Sequence, residues 1–348
     1  MRVLVAMSGG VDSSVAAALL LDRGHRVVGA TMKLWGGPSD SGCCSVADVE
    51  DARRVCRQLG IDHHVFNFSA DFERDVVGPY VSEHLRGRTP NPCIECNRHL
   101  KFDRFLERAL RLGFDAVATG HHARITEGRL RRGRDEAKDQ SYVLAVLGPA
   151  QLARVVLPIG DMDKSEVRDR ARALGLGTAD KPDSLDVCFI TASAGRRAFI
   201  DGRADLHPGV LVDSGTGEEV GTVPAVELVT VGQRRGLGAG GRSVGSPARR
   251  FALEVDVARR RVLVGAEEEL LIDRVPIGPP TWTGRPVPPG TRVEVQVSAH
   301  GAAHPGVVHE GVVVLDAPVR RVAPGQTVAF YAGDAVLGAA TAETAGGA

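Results

Sequence analysis

The run Arg2-Val3-Leu4-Val5-Ala6-Met7-Ser8-Gly9-Gly10-Val11-Asp12-Ser13-Ser14 constrains this chain more than any other. It reads as a short apolar strand, a tight glycine turn and a helix that continues through Val15-Ala16-Ala17-Ala18-Leu19-Leu20-Leu21. Adjacent glycines let the backbone approach a bulky anion, and a helix N-terminus turns unpaired N–H groups toward it. The hydroxyls of Ser8, Ser13 and Ser14 are expected to add donors, and Asp12 to hold Mg²⁺ against phosphate oxygens. The Gly-Lys-Ser/Thr ending of the Walker loop is absent, lysine included. Such a cradle suits an enzyme that binds the pyrophosphate end of ATP and lets it leave. It suits transfer of the γ-phosphoryl group less well. The plainer reading is that Asp12 or Ser13 only caps a surface helix. The order of strand, Gly-Gly turn, hydroxyl cluster and helix favours the nucleotide site.

A chain of 348 residues is too long for one typical core and implies about two or three domains. No apolar signal segment opens it and no apolar run is long enough to span a bilayer, so a cytoplasmic protein without membrane contact is expected. Lys+Arg and Asp+Glu both number 43, which leaves no overall pull toward nucleic acid. An RNA partner would have to be held by local basic patches. Six cysteines at irregular spacing do not make a secreted disulfide framework.

The first half alternates strand-like and helix-like segments, the pattern of a parallel α/β sheet. Arg26 to Met32 reads as a second buried strand, and Val46 to Leu59 as a helix with Val49, Ala52, Val55, Cys56 and Leu59 on one face. His64 to Phe68 and Ala116 to Thr119 are further strands, the latter ending at Gly120-His121-His122. Phe102 to Leu112 and Lys164 to Leu174 are expected helices, and Tyr142-Val143-Leu144 opens another ordered segment. From Gly209 onward short alternating runs such as Glu219 to Val223, Arg261 to Val264, Arg292 to Val297, Gly311 to Leu315 and Thr327 to Tyr331 have barrel or sandwich texture. Pro276 to Pro289 reads as connections and edge turns. The expected organisation is α/β: a parallel-sheet catalytic domain over 1–200, a small β-rich domain over 201–270 and a β-barrel-like domain over 271–348.

The cysteines separate the functional readings. Cys56 sits on an apolar helical face and belongs to the core. Cys43 and Cys44, adjacent in a Gly/Ser-rich loop, are given no role. Cys93 and Cys96 fall in Thr89-Pro90-Asn91-Pro92-Cys93-Ile94-Glu95-Cys96-Asn97-Arg98, read as a proline-stiffened loop before a basic helix with Lys101 and Arg104. That helix and Arg98 would stabilise a thiolate. Cys188 stands far off in Asp183-Ser184-Leu185-Asp186-Val187-Cys188-Phe189-Ile190. Three readings stay open: structural zinc, which lacks a second pair; a thioredoxin-like pair, which lacks the helix-opening context; and a sulfur-transfer pair that closes its cycle by disulfide exchange.

Taken together, these motifs resemble the tRNA-specific 2-thiouridylases over nearly the whole chain. The resemblance rests on Ser8 to Ser13, Thr89 to Cys93 with Cys96-Asn97, Lys101-Phe102, Thr119-Gly120-His121, Lys138 to Tyr142 and Cys188-Phe189-Ile190. Gly232-Gln233-Arg234-Arg235-Gly236-Leu237 and Pro324-Gly325-Gln326 complete it. It implies an adenine-nucleotide α-hydrolase-like fold and ATP in the loop Ala6, Met7, Ser8, Gly9, Gly10, Val11, Asp12 and Ser13, with Met32 and Gly120 near the adenosine. It also implies adenylation of the C2 oxygen of a wobble uridine (U34) and displacement of AMP by sulfur. Cys188 would carry the persulfide, and Cys96 would assist its release and end disulfide-linked to Cys188. Asn91, Pro92 and Cys93 would meet the target base, and His121, Lys138, Asp139, Gln140 and Gln326 the rest of the tRNA. Lysine, glutamate and glutamine tRNAs are the expected substrates, and a cysteine desulfurase or relay protein the persulfide donor.

Two departures from the family pattern stand out. Cys93 occupies a position where many members carry Asp, which raises a 4Fe-4S cluster on Cys93, Cys96 and Cys188 as an alternative route for sulfur. Ser298-Ala299-His300-Gly301 replaces a segment that is basic and aromatic in the family. The basic run Arg129, Arg131, Arg132 and Arg134 either steers phosphates or is a solvated loop. An adenylating amidotransferase or ligase, and a non-catalytic RNA-binding protein with a structural metal, are the competing functions. Neither accounts for loop, thiols and tRNA motifs at once.

Overall fold

The computed structural model describes residues 1–35, 45–183, 187–190, 195–237 and 250–344. Cys43, Cys44 and the stretch before Cys188 from Ser184 to Asp186 lie outside them. The expected opening unit is present: strand β1 (Arg2–Ala6), then helix α1 (Val11–Asp22), then β2 (Arg26–Lys33) and helix α2 (Val46–Gln58). With β3 (His63–Asn67), β4 (Ala116–Ala118) and a later short strand at Val155–Val156, they make a parallel five-stranded sheet. Side chains alternate across a strand, and β1 uses both faces. Leu4 and Ala6 enter one apolar cluster with Phe72, Phe102 and Tyr142. Val3 and Val5 enter the other with Val15, Val55 and Val167. A fully buried Val or Leu contributes about 1.5–3 kcal/mol, so β1 anchors both cores at once.

Strand order decides where a ligand can bind. Strands β2 and β3 extend from one edge of β1, whereas β4 and the Val155–Val156 strand extend from the other. The chain therefore reverses direction between β1 and β4, and the crevice beyond their C-terminal ends is the ligand position of such sheets.

Two further strands, β5 (Ala123–Thr126) and β6 (Arg129–Arg132), form a hairpin after β4. With Val155–Val156 as β7, four strands make the central sheet: β8 (Gly209–Asp213), β9 (Glu219–Val223), β10 (Phe251–Asp256) and β11 (Arg261–Gly265). The last sheet runs from β12 (Leu271–Pro276) and the short β13 (Thr281–Trp282) through β14 (Thr291–Gln296), β15 (His304–His309) and β16 (Val312–Arg320) to β17 (Thr327–Ala332) and β18 (Ala335–Thr341). Its order is β12-β16-β15-β14-β17-β18-β6-β5, so the hairpin of the catalytic unit extends the barrel sheet. Both units also share one core. Ala329, Tyr331, Val336 and Ala339 of the barrel lie in the same apolar cluster as Leu4 and Phe102. No helix among the described residues is long and apolar enough to cross a membrane.

Candidate active site

The turn after β1 is built to leave helix N–H groups open. Gly10, the residue before α1, is extended and supplies no side-chain cap. Gly9 takes a positive φ of 73°, and a Cβ there would lie 2.3 Å from the Asp48 carbonyl oxygen. Only glycine meets both demands. From the other strand at the reversal, Gly120 closes in: its Cβ would lie 2.6 Å from the Ser13 nitrogen. The loops after β1 and β4 thus meet in backbone contact at the crevice.

The serines depart from expectation. The Ser14 hydroxyl is fully buried and donates to the Gly10 carbonyl at 2.8 Å. Ser13 donates to the same carbonyl at 3.2 Å and accepts from the Ser8 N–H at 3.2 Å. Two of the three hydroxyls therefore hold the loop's own shape; Ser8 alone is exposed. Short hydroxyl side chains readily turn back onto nearby backbone, which explains the difference.

Asp12 is the charged residue at the cradle. Lys164, first residue of the Lys164–Ala173 helix, donates to both its carboxylate oxygens at 2.7 Å, and His122 Nε2 lies 3.3 Å from Oδ1. Burial alone would raise the carboxyl's pKa, but the bonds to His122 and Lys164 outweigh it and hold it below the usual value. Lys164 also reaches Asp183 at 2.9 Å, and Lys138 and Arg168 meet the same Asp183. Burial opposes the Asp183 charge, yet Lys138 and Lys164 hold its pKa far down.

A second lysine braces the loop from behind. Lys181 Nζ donates to the Gly9 carbonyl at 3.0 Å, to Asp48 at 2.7 Å and to Asp51 at 2.6 Å. Burial works against its charge, and the two carboxylates of α2 prevail. Thr178, three residues earlier, donates to the Ser14 hydroxyl at 3.2 Å. Sequence does not single out Lys164 or Lys181, because the cradle groups they hold, Asp12 and Gly9, stand more than a hundred residues away. Lys181→Met is expected to raise the KM for ATP about tenfold, with a smaller change in kcat, since it frees α2 and the loop to shift together. Steady-state AMP release over an ATP titration checks this. An unchanged KM would show that the loop holds its shape without Lys181.

The thiols also differ from expectation. Cys93 and Cys96 lie inside a helix, not in a loop before one. Helical structure starts at Pro92, runs to Glu95, becomes π-helical over Cys96–Arg104 and returns to α over Phe105–Arg111. Asn91 caps it by accepting from the Cys93 N–H at 3.1 Å, and proline is preorganised at the first helical position. The pair therefore does open a helix, the context that a thioredoxin-like pair needs. Cys96 is 8% exposed within the Leu4–Phe102 cluster, and Cys188 packs against that same cluster. Phe189, beside Cys188, is gripped by Trp35, Phe72, Tyr80 and Phe199 at 5.0–6.1 Å between ring centroids. Cys56 is buried and its thiol is pushed up to about 11, as a core residue should be.

No disulfide links the described cysteines in this structure; the Cys96–Cys188 bond is expected only at the end of the sulfur-transfer cycle. Nor do the described residues gather three His, Cys, Asp or Glu side chains around one point.

Several residues expected at tRNA hold the protein together. Asp139 accepts from the Gly133 N–H, the Ser141 N–H and the Ser141 hydroxyl at 2.8–3.0 Å and pairs with Arg132 at 3.1 Å. Gln140 accepts from the His122 N–H at 2.9 Å. His121 is 8% exposed and bonds Thr119 at 2.7 Å; burial drives its pKa well down, so its ring is neutral. The Gln326 amide donates to the Thr89 carbonyl, and the Thr89 N–H to the Pro324 carbonyl at 2.7 Å. This ties the barrel to the chain entering the cysteine helix. Of the basic run, Arg131 pairs with Asp334 at 2.6 Å, and Arg132 also covers the Tyr331 ring at 3.8 Å. Arg134 pairs with Asp163 and Glu166. Arg131 and Arg132 thus hold the hairpin against the barrel, while Arg134 is exposed and pairs toward the Lys164–Ala173 helix. Arg129 remains exposed.

A parallel sheet with a glycine-lined cradle at its reversal and an acid–lysine pair beside it defines an adenine-nucleotide-binding α/β enzyme. Residues 1–192 match the family described as "tRNA methyl transferase HUP domain", and residues 273–342 match "Aminomethyltransferase beta-barrel domain". The chain is 46% identical over 355 residues to the tRNA-specific 2-thiouridylase MnmA of Thermobifida fusca (strain YX), covering 99% of this chain and 96% of that one. It is 47% identical over 358 residues to the protein of that name from Acidothermus cellulolyticus (strain ATCC 43068 / DSM 8971 / 11B), covering 98% and 97%. The chain belongs to the tRNA-specific 2-thiouridylase family.

Proposed function

We propose that this chain is an ATP-dependent tRNA uridine 2-sulfurtransferase acting on the wobble position. The observation that carries the reading is the cradle of Gly9, Gly10 and Gly120 at the sheet reversal, in a chain whose apolar core also seats Cys96 and Cys188. ATP lies along Ala6 to Ser13 with its adenosine toward Met32 and Gly120. Asp12, kept ionised, is the anionic group that would hold a Mg²⁺ ion, which would supply charge neutralisation for the leaving pyrophosphate. Lys164 reaches the cradle and balances charge there as the phosphates shift.

The uridine O2 attacks the α-phosphorus, pyrophosphate leaves and the N3 proton is lost. The oxygen thereby becomes part of AMP, a far better leaving group. The terminal sulfur of a Cys188 persulfide then attacks C2 and AMP departs. The Cys96 thiolate attacks the Cys188 sulfur, forming the Cys96–Cys188 disulfide and releasing the thiocarbonyl. Two thiol sulfurs are oxidised as the transferred sulfur is reduced, and an external thiol restores them. Asn91, Pro92 and Cys93, at the helix start, meet the flipped-out base, which an anticodon loop gives up at little cost. His121, Lys138, Asp139, Gln140 and Gln326 shape the surface against which the tRNA rests. The persulfide comes from a cysteine desulfurase or relay protein, and lysine, glutamate and glutamine tRNAs are the substrates. An amidotransferase or ligase would leave both thiols without work.

Mercury-gel analysis of an unmodified lysine tRNA transcript tests the reading. Retarded, thiolated product is expected only with Mg-ATP and a persulfide donor together. Thiolation without ATP, or none with both present, would overturn it.

A further inference from the structure

The Gly232 to Leu237 motif takes no part in the mechanism above, yet it lines a cleft. This cleft, of about 180 Å³, is bordered by Gln233 and Gly236, by Arg196 and Arg197 of the Gly195–Asp201 helix, and by the apolar Leu228. We propose that it is a phosphodiester-binding subsite that holds the tRNA backbone beside the sulfur-carrying thiol. The proposal rests on the tRNA reading given above.

Charge is the first argument. Arg196 donates to the Leu228 carbonyl at 2.7 Å, and its other guanidinium nitrogen lies 3.5 Å from His84 Nε2. His84 is 2% exposed and its Nδ1–H donates to the Tyr80 carbonyl at 2.8 Å, which turns Nε2 toward Arg196 as acceptor. Burial pushes the His84 pKa down to about 4, so at neutral pH the ring is uncharged. Arg196 is thus fixed in place by neutral groups. Arg197, Arg234 and Arg235 are exposed, and among the described residues no carboxylate pairs with them. Residues 191–194 and 238–249, which flank both walls in sequence, contain no Asp or Glu. In a chain with zero net charge, four arginines with no carboxylate partner among the described residues form a local positive field.

Position is the second argument. The Tyr80 ring centroid lies 4.4 Å from that of His84, tilted against it, and 5.5 Å edge-on from that of Phe189, the neighbour of Cys188. The contacting rings of His84, Tyr80 and Phe189 thus connect the cleft wall at Arg196 to the residue after Cys188. The nucleotide cradle lies elsewhere, at Gly9 and Gly120, so the cleft is not a second pocket for ATP phosphates. A ligand able to occupy both the cleft and the sulfur site must be extended and polyanionic. Arginine forks match phosphate oxygens two at a time, and such contacts fix the register of an RNA without reading its sequence.

Fluorescence anisotropy of a labelled tRNA transcript tests the subsite with wild type, Arg197→Gln and Arg26→Gln. Arg197 is exposed and its loss leaves the fold intact. Arg26 opens β2 at the N-terminal end of the parallel strands, opposite the crevice, and serves as the control. Arg197→Gln is expected to raise the Kd about five- to tenfold near 0.15 M salt and to flatten the salt slope by about one phosphate contact. The KM for ATP should stay unchanged, and Arg26→Gln should match wild type. Wild-type affinity and slope in Arg197→Gln would overturn the subsite while leaving the tRNA reading standing. Failure of wild type itself to bind tRNA would overturn that reading too. If Arg197→Gln weakens only binding of inorganic pyrophosphate, the cleft takes a small anion and the proposal is wrong.

Discussion

Asp12→Asn is expected to lower ATP-dependent AMP formation by about 10²–10³-fold while tRNA affinity changes less than about twofold. The substitution keeps shape and hydrogen-bonding capacity but removes the negative charge that Lys164 and His122 hold in place. Losing one preorganised charge at the reacting centre costs about that much in rate. Folding should survive, because Lys164 still has Asp183 at 2.9 Å as its counter-ion. A buried cation left with no partner would be a different matter. Pyrophosphate release and tRNA binding measured on the same preparation separate the outcomes. Unchanged AMP formation would remove Asp12 from the reaction, and equal loss of both functions would make its role structural.

Cys188→Ser divides the reaction elsewhere. AMP formation should persist near the wild-type level in the first turnover, whereas thiolation from a persulfide donor should fall to about a thousandth or less. The neighbouring Phe189 is fixed by four aromatic rings, so the segment keeps its place when the sulfur is removed. Thiolation that survives in Cys188→Ser would mean that sulfur arrives by another route, with Cys93 the next thiol to test.

The catalytic sheet is legible in the sequence because β1 is apolar at every position facing either core, and because α2 and the Lys164–Ala173 helix repeat their buried residues at helical spacing. The cradle is legible for the same local reason: glycine, glycine and a helix follow one strand. What escapes is set by contacts between distant residues. The Arg129–Arg134 run reads as loose surface, since nothing nearby reveals Asp334 and Tyr331 as the partners of Arg131 and Arg132. Lys181 sits 172 residues from the Gly9 carbonyl it holds. The early helix start at Pro92 is another kind of miss. Asn91-Pro92 carries a cap and a first-turn proline, but two prolines within three residues suggest a loop more strongly. The serine hydroxyls show the limit most plainly. Their presence in the loop is visible in sequence, while their direction, inward to Gly10, depends on backbone geometry.

The central claim is that the uridine C2 oxygen leaves as part of AMP. The most direct test thiolates a tRNA carrying ¹⁸O at C2 of the wobble uridine and examines the released AMP by mass spectrometry. One ¹⁸O in AMP for each thiocarbonyl formed is the predicted result. Unlabelled AMP alongside thiolated tRNA would contradict adenylation of the base and require ATP to activate some other group.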